Sequence, residues 1–247
     1  MKNLLINKNE VLLKKMQLIP YKQNEQICLV GPVQLPVKQG NFEATFQWYT
    51  WLKLDQPISS KEEVLDYILS ANLQESQQSS VLVYGDFEHE EEALIRMHSI
   101  CHTGDIFGSQ RCDCGYQLHE SMKMIVEHGC GAIFYLANHE GRGIGLFSKS
   151  LAYLLQEEGY DTVEANHALG FEDDSRSYEE AIRVLETLRN KPVTLITNNP
   201  RKLEALKRHG LLADKHIPLW GGLTETNRRY LETKIKKAGH IPEKQWF

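Results

Sequence analysis

The chain has 247 residues, of which 41% are hydrophobic and 25% are charged, and its formal net charge is −5. This size and composition are typical of a globular protein with one large domain, or one domain and a smaller attached piece. The acidic balance disfavours a general nucleic-acid-binding protein, and no apolar run approaches the roughly 20 residues that a membrane helix requires.

The N-terminal third contains predicted strands followed by one helix. Residues 27–54 alternate polar and apolar side chains around turn signals, which predicts short strands. Residues 60–75 predict a helix in which Ser60 and Glu63 fit a capping box. Its apolar stripe consists of Val64, Tyr67, Ile68 and Leu69. The polar run 75–80 that follows is a candidate linker.

From residue 81 onward, predicted strands and helices alternate along the chain. This order predicts an α/β fold: a three-layer α/β/α arrangement with a mixed sheet, plus a small strand-rich N-terminal extension. In such folds ligands bind beyond the carboxyl ends of the strands. The loops expected to carry function are therefore 85–90, 137–145 and 197–202. The predicted strands are 81–86, 131–137 and 192–197, and the predicted helices are 116–129, 146–159, 177–188 and 200–210.

Three of the five cysteines fall in one short stretch, "CHTGDIFGSQRCDCG", where ten residues separate Cys101 from Cys112 and one separates Cys112 from Cys114. Thiolates suit zinc, and catalytic zinc sites have three protein ligands where structural sites have four. A catalytic zinc site is one interpretation. The alternatives are a structural zinc closed by a histidine, or three buried cysteines without metal. The histidines that could close the site are His98, His102 and His119.

The odd cysteine count and the close pair are unsuited to disulfides. The first residues also lack a long apolar stretch and a small-residue cleavage site. We therefore expect a reduced, cytoplasmic protein. Cys28 and Cys130 lie in apolar surroundings and are expected to be small core residues.

Two segments that follow predicted strands are candidate phosphate sites. In the first, Asn199 can cap a helix that begins at Pro200, whose free amides and dipole favour an anion beside Lys202. In the second, 138–146, the third glycine of a dinucleotide fingerprint would fall on Leu146, so we expect a glycine-rich turn with Arg142 as a clamp. The alternatives are an ordinary capped helix and a sharp strand-to-helix turn.

Residues 159–178 predict a long polar loop between two helices, and loops of this length are often functional. Asp173, Asp174 and Arg176 are spaced so that a carboxylate and a guanidinium could face one site. The alternative is a solvated cluster of surface charges.

Together these segments resemble the GTP cyclohydrolase II family, which catalyses the first step of riboflavin synthesis. The resemblance implies a family-like domain over 34–247, an extension at 1–33 and an inserted helix at about 60–75. The matching stretches keep the family's order: "VYGD", "RMHSICHTGDIFGSQRCDCGYQL", "HEGRGIGL", "AYLLQEEGYDTVEANHALGF", "DDSR", "LITNNPRKLEAL" and "RRYLETKIKKAGH".

The resemblance implies hydrolytic opening of the guanine imidazole ring of GTP, with release of formate and pyrophosphate and formation of a diaminopyrimidine ribose phosphate. It implies one catalytic zinc per chain on Cys101, Cys112 and Cys114, with the fourth position left for the hydrolytic water. It also implies Mg²⁺ with the triphosphate and a homodimer.

Individual roles carry over from the family by matching positions. Arg176 matches an arginine proposed to attack the α-phosphorus, and Asp174 matches its proposed proton acceptor. A guanidinium is a poor nucleophile and a good phosphate clamp, so clamping is the alternative role for Arg176. Tyr153 matches an aromatic residue next to the base. Nucleotide contacts are implied at Arg96, Gln117, Glu140, Arg142, Thr162, Thr197 and Lys202.

The chain departs from the family pattern at two places. Ile100 stands where the family usually has an acidic residue, and the family's "YLRQEGRG" is "YLANHEGRG" here, with His139 before the glutamate. These departures motivate a second hypothesis: a diverged paralog that acts on a related purine nucleotide or stops at the formylated intermediate. A third hypothesis is a non-enzymatic module that binds nucleotide or zinc.

Overall fold

The computed structural model describes residues 8–40, 42–73 and 78–243. The strands of these residues form a mixed sheet of eight, in the order β1-β2-β3-β4-β6-β5-β7-β8. Their bounds are β1 Met16–Pro20, β2 Gln26–Gln39, β3 Phe42–Leu54, β4 Ser80–Tyr84, β5 Leu94–Ser99, β6 Gly131–Leu136, β7 Val193–Ile196 and β8 Leu212–Ile217. The mixed sheet and its helices confirm the predicted α/β class.

The helices of the described residues are mostly short. A 3-10 segment at Ala137–Arg142 follows β6. The α-helices are α1 Lys8–Lys14, α2 Lys61–Ser70, α3 His102–Asp105, α4 Cys114–His128, α5 Gly145–Glu157, α6 Thr162–Ala168, α7 Glu179–Leu188, α8 Pro200–Arg208 and α9 Arg228–Lys236. None of these helices is long and apolar enough to cross a membrane.

The N-terminal strands are longer than the short strands that the sequence predicts. β2 and β3 have 14 and 13 residues and pair as an antiparallel hairpin whose register shifts between Val30 and Val33. Gly31 lies in this bulge at φ 142°, and a Cβ there would come within 2.7 Å of the Tyr49 ring. The ladder continues beyond the bulge, so turn-forming residues interrupt the register without ending the strand.

β1 and β2 form one edge of the main sheet, through the pairings β1–β2 and β2–β3. The predicted boundary between residues 33 and 34 therefore lies within a continuous strand. The division into an extension and a family domain stays a prediction about which part of the sequence matches the family.

The two sheet faces are covered by different helices. Leu94 and Ile133 pack with Met122 and Ile125 of α4, whereas the neighbouring residue Ile95 packs in another cluster. Successive side chains of a strand point to opposite faces. The cluster that contains Ile95 also contains residues of α7 and α8, among them Ile182, Leu185 and Leu206.

Several predicted helix ends are confirmed, but the helix predicted over 60–75 already ends at Ser70, because Ala71 is extended. Gly129 closes α4 at φ 92°, and the Asn199 side chain caps α8 with Pro200 in its first turn. At α2 the Ser60 hydroxyl accepts from the Glu63 amide at 3.2 Å. The Glu63 carboxylate accepts from the Ser59 amide and not from that of Ser60, so the predicted capping box is one residue out of register.

Two predictions about loops need correction. The stretch 159–178 is not all loop, because it contains α6, where Asp161 and Glu164 form a complete capping box. The turn 85–90 lies away from the other two candidate loops, because β4 runs antiparallel to β6 and ends beside its start. Buried Arg189 donates to the carbonyls of Phe87 and Glu90, which gives this turn a structural role. Of the candidate linker, residues 75–77 lie outside the described residues and Ser80 begins β4.

Candidate active site

A cleft lies at the carboxyl ends of β5 and β6, beside the end of β7. The strands are parallel there, so the segments that follow them meet at one edge of the sheet. Asp174 lines an adjoining recess, together with Arg142 and Arg176. The other predicted site residues line the cleft itself: Arg96, Cys101, Cys112, Cys114, Gln117, Glu140, Arg142, Tyr153, Thr162, Arg176, Thr197 and Lys202.

The three cysteines converge from two elements. Cys101 precedes α3 at the end of β5, and Cys112 and Cys114 lie at the start of α4. Their sulfurs all lie within 4.8 Å of one another, and those of Cys101 and Cys112 are 3.6 Å apart. A tetrahedral zinc with Zn–S distances of about 2.3 Å places its sulfurs about 3.8 Å apart. The spacing of the thiols fits such an ion.

Gly104 in α3 leaves room for an ion among the sulfurs. A Cβ at this position would lie 3.0 Å from the Cys112 sulfur and 3.1 Å from the Cys101 sulfur. It would also lie 3.2 Å from Cβ of Cys114. Any larger residue would crowd all three ligands, so glycine is required here for space.

Within the described residues, no histidine or carboxylate joins the three thiols as a fourth potential ligand. His98, one candidate for that role, pairs through Nε2 with the Asp105 carboxylate at 3.0 Å. The His102 ring packs edge-on against Phe107, and His119 is exposed. The geometry favours three protein ligands over a closed site of three cysteines and a histidine.

Lys149 places a cation against the Cys101 sulfur. Its ammonium group donates to the Cys101 sulfur at 3.3 Å and to the Glu140 carboxylate at 2.7 Å. Hydrogen bonds from the Cys112 and Cys114 thiols, aided by Lys149, hold the pKa of Cys101 well below its usual range. Sequence reasoning missed Lys149, although its spacing from Ala152 and Tyr153 on α5 places it on their buried side of the helix.

Both oxygens of the Glu140 carboxylate accept hydrogen bonds from the protein. The carboxylate accepts from the His102 amide at 2.7 Å, from the Gly141 amide at 3.1 Å and from Lys149. These contacts join the 3-10 segment to α3 and α5. These three donors leave one acceptor site of the carboxylate for the predicted nucleotide contact.

Asp174 and Arg176 form a bidentate ion pair. Arg176 Nε and Nη2 each donate to one Asp174 oxygen at 2.7 Å, and Nη1 donates to the Ser99 hydroxyl at 3.2 Å. Burial alone would raise the pKa of Asp174, but the hydrogen bonds from Arg176 outweigh it and the pKa falls to about 2. Burial alone would lower the pKa of Arg176, but Tyr178 and Asp174 raise it, so the guanidinium stays charged.

His139 is linked to this pair through the Ser99 hydroxyl, which contacts both His139 and Arg176. Its Nε2 lies 2.9 Å from the Ser177 carbonyl, so Nε2 donates and Nδ1 accepts from the Ser99 hydroxyl at 3.1 Å. Burial, together with Arg176, lowers the pKa of His139 to about 3, and the ring is therefore neutral. His139 and Ser99 were not predicted as site residues, because the sequence does not show that β5 and the 3-10 segment converge.

Two further cations, Arg96 and Lys202, are buried beside the cleft. Arg96 donates to Gln117 at 2.5 Å and to the Ile196 carbonyl at 3.1 Å. Lys202 donates to the Met97 carbonyl at 2.6 Å, and burial lowers its pKa well below the usual value. Arg96, Arg142 and Arg176 give the cleft a positive lining that suits an anionic ligand, and such a ligand beside Lys202 would favour its charged form.

The turn after β6 has the backbone that its glycines predict. Gly141, Arg142 and Gly143 have φ of 60°, 67° and 99°, a region that glycine adopts without steric cost. The Arg142 carbonyl accepts from both the amide and the hydroxyl of Ser175 at 3.2 Å. This turn therefore ties the 3-10 segment to the loop that carries Asp174.

Residues of α6, α8 and α9 complete the cleft. Thr162 begins α6, and the Thr197 hydroxyl accepts from the Asn199 amide at 3.0 Å, which shapes the turn before α8. Tyr230 and Lys234 of α9 also line the cleft, and sequence reasoning singled out neither. Their helix follows the sheet by more than ten residues, so no strand-end pattern points to it.

The tyrosine predicted to lie beside the base has cationic neighbours. The Arg111 guanidinium lies 4.6 Å from the Tyr153 ring centre, and the Lys149 nitrogen lies 5.5 Å away. The Tyr153 hydroxyl is 3.5 Å from the Thr103 hydroxyl. Burial raises the pKa of Tyr153. The hydroxyl therefore keeps its proton at neutral pH.

Comparison with known proteins gives consistent matches. The model of the family described as GTP cyclohydrolase II matches residues 56–218. "Riboflavin biosynthesis protein RibBA" of Bacillus cereus (strain B4264) is 46% identical over 226 residues, which are 91% of this chain and 51% of that protein. The protein of that name from Bacillus velezensis is 50% identical over 160 residues, 64% of this chain and 40% of that protein.

A plant relative matches to a similar degree. "Monofunctional riboflavin biosynthesis protein RIBA 3, chloroplastic" of Arabidopsis thaliana is 50% identical over 160 residues, 65% of this chain and 31% of that protein. The chain thus spans about half the length, or less, of these curated relatives.

Proposed function

This chain belongs to the GTP cyclohydrolase II family, and we propose that it opens the guanine imidazole ring of GTP by hydrolysis, with release of formate and pyrophosphate. The product is a diaminopyrimidine ribose phosphate, and the reaction is the first step of riboflavin synthesis. The observation that carries this proposal is one cleft that contains three converging thiols and, beside it, a buried carboxylate–guanidinium pair. These are the two groups that a combined ring opening and phosphate cleavage requires.

Cys101, Cys112 and Cys114 would hold a zinc ion, since three thiolates at this spacing match its preferred ligands and geometry. When bound, zinc supplies the Lewis acidity that makes water a nucleophile near neutral pH. The lack of a fourth protein ligand within the described residues favours a catalytic over a structural ion.

The thiol end of the cleft suits the guanine base. Tyr153 offers an aromatic face and a protonated hydroxyl that can donate a hydrogen bond to the base. Arg111 and Lys149 lie against the ring and restrict its motion. Tyr153 would thus position the base, with its C8 directed toward the cysteines.

The opposite end suits the triphosphate. Arg176 is held by two parallel bonds to Asp174 and a third to Ser99, which fixes its direction before the substrate binds. Its raised pKa keeps the charge in place, and this favours an electrostatic clamp on the α-phosphate over a nucleophile. Arg142, Lys202, Thr162 and Thr197 would bind the remaining phosphate and ribose oxygens, and Mg²⁺ would accompany the triphosphate.

The diverged-paralog alternative rests on one observation at the thiol end. Ile100 lines the cleft directly before Cys101, where the family usually has an acidic group. An apolar side chain cannot accept a hydrogen bond from the base. A different purine nucleotide, or an arrest at the formylated intermediate, is therefore the competing outcome of product analysis.

We also propose that the chain forms a homodimer. The exposed side of α5 carries an apolar stripe at helical spacing: Phe147 is 79% exposed, Leu154 is 61% exposed and Leu151 lies between them. Large exposed apolar groups of this kind mark interaction surfaces.

Replacement of a proposed zinc ligand tests the function. Cys112→Ser should abolish ring opening, with a loss of about 1000-fold or more, while the variant retains its fold. Cys28→Ser is the matched control, because Cys28 is buried in β2 away from the cleft and should retain activity. A folded Cys112→Ser variant with full ring-opening activity would overturn the proposal.

A further inference from the structure

Lys149 lies directly against the cysteine cluster, and its packing against the Tyr153 ring does not account for its contact with Cys101. Its side chain is 9% exposed, and its ammonium group makes three hydrogen bonds. The acceptors are the Cys101 sulfur at 3.3 Å, the Thr103 hydroxyl at 3.2 Å and the Glu140 carboxylate at 2.7 Å. Three acceptors use all three donors of an ammonium group, so its direction is fixed.

The charges of the cluster explain why a cation belongs there. Three thiolates and a divalent metal ion sum to one negative charge, and a buried net charge is costly unless it is paired. Among the described residues, Lys149 is the cation whose nitrogen hydrogen-bonds to one of the three sulfurs. Glu140 shares the ammonium group with Cys101, and its own negative charge is stabilised by hydrogen bonds from two backbone amides.

We propose that Lys149 is a positioning residue that stabilises the metal-binding form of the three cysteines through a charge-assisted N–H···S hydrogen bond to Cys101. This inference rests on the proposed metal site. It adds a residue that controls how tightly the site binds metal and how strongly Cys101 donates electrons to it.

Two consequences follow from the chemistry of such a hydrogen bond. First, loss of an interaction that supports a ligand typically reduces metal affinity by about 10- to 100-fold. Second, a hydrogen bond withdraws electron density from sulfur, so its loss makes the thiolate a stronger donor. The thiolate-to-metal charge-transfer band should then move to longer wavelength.

Cobalt(II) titration of the metal-free full chain measures both quantities without GTP turnover. The wild type should develop a thiolate-to-cobalt band that saturates at one ion per chain. Lys149→Met should bind cobalt about 10- to 100-fold more weakly, with the band at longer wavelength. Lys149→Arg retains the charge and the donor and should recover most of the affinity and the band position.

Two further variants test whether the change in cobalt affinity comes from the Lys149 ammonium group itself or from other charges nearby. Lys149→Met leaves Glu140 buried without its partner, so the double variant Lys149→Met/Glu140→Gln removes that charge as well and should still bind cobalt weakly. Lys202→Met removes another buried cation of the same cleft and should change cobalt affinity less than threefold.

The outcomes separate this inference from the proposed function. A wild-type chain that gives no thiolate-to-cobalt band would contradict the metal site itself. If the wild type binds cobalt and Lys149→Met matches it in affinity and spectrum, the role of Lys149 is wrong. The same follows if Lys149→Arg is as weak as Lys149→Met, or if the double variant recovers wild-type affinity.

Discussion

At the scale of single residues, the cleft depends on side chains whose direction is fixed by several partners. Arg176 has two bonds to Asp174 and one to Ser99, and Ser99 is in turn held by His139. These contacts fix the position of the Arg176 guanidinium before a substrate binds. A charge that is already oriented lowers the free energy needed to reach the transition state. Arg176 and His139, which both contact Ser99, can each be tested by substitution.

Arg176→Lys should reduce kcat by about 100-fold, because a lysine cannot form two parallel bonds to Asp174 and reach Ser99 as well. Steady-state rates of pyrophosphate and formate release measure the effect, with metal content per chain as a check on the thiol end. Arg208→Lys is the control, since Arg208 pairs with Glu204 on an exposed helix face and should be neutral. A rate within threefold of the wild type would contradict the clamp.

His139 should make stability depend on pH. Its folded pKa is about 3, against about 6.5 when unfolded, so below pH 6.5 the unfolded chain binds a proton that the folded chain does not. Stability from this group is therefore lost as pH falls. His139→Gln retains an acceptor for Ser99 and a donor for Ser177 but does not titrate.

Between pH 7 and pH 5 the wild type should lose about 2 kcal/mol more unfolding free energy than His139→Gln. Urea unfolding at the two pH values measures this difference, and the other histidines contribute equally to both proteins. Equal losses in the two proteins would show that His139 is not buried in its neutral form.

The sequence predicted the three thiols and several charged side chains of the cleft, but not the residues that hold them in place. The thiol spacing and the pairing of Asp174 with Arg176 are visible within short segments. Lys149, Ser99 and His139 act across segments, and only the fold shows that α5, β5 and the 3-10 segment meet. The predicted residue roles stay predictions until they are tested by substitution.

At the scale of elements, the ends of short helices shape the cleft. α6 has seven residues and depends on its capping box, in which the Asp161 carboxylate accepts from the Val163 and Glu164 amides. The stretch was predicted as loop because polar and charged residues separate its apolar residues, which form no long stripe at helical spacing. The D-T-V-E pattern at Asp161–Glu164 was the signal that could have identified the helix.

Removal of the N-cap side chain of α6 or of α2 should lower the free energy of unfolding in both cases, but only the α6 change should weaken GTP binding. Asp161→Ala and Ser60→Ala should each destabilise the chain by about 1 kcal/mol, because each exposes amides of a first helical turn. Asp161→Ala should also raise the KM for GTP several-fold, since Thr162 and Asn166 of α6 line the cleft. Ser60→Ala, at α2, should leave KM unchanged.

Urea unfolding and steady-state kinetics on the same protein preparations measure both effects. A rise in KM for both variants would point to a general loss of stability as the cause. An unchanged KM for Asp161→Ala would mean that α6 does not position the nucleotide.

At the scale of the whole molecule, one mixed sheet carries the antiparallel N-terminal strands on one side and the parallel site-bearing strands on the other. The alternation of strands and helices after residue 81 predicted the α/β class. The length of β2 and β3 was not predicted, because turn-forming residues at the bulge resemble strand ends in a single sequence. Their pairing is long-range information that local patterns do not contain.

The oligomeric state should depend on the exposed stripe of α5. The wild type should elute with twice the mass of one chain, and Phe147→Asp/Leu154→Asp should elute as a monomer, because a buried carboxylate without a partner is costly. Light scattering coupled to gel filtration measures the mass. Leu69→Asp, at an exposed apolar position of α2, should remain a dimer. A monomeric wild type, or a dimeric double variant, would contradict this interface.

The most direct test of the proposed function is mass spectrometry of the products that the zinc-loaded chain forms from GTP and Mg²⁺. The predicted result is formate, pyrophosphate and a diaminopyrimidine ribose phosphate, each in a one-to-one ratio to the GTP consumed. Unchanged GTP, or a product that retains the formyl group or the triphosphate, would contradict the account and would indicate that Ile100 and the altered turn before Glu140 have redirected the site.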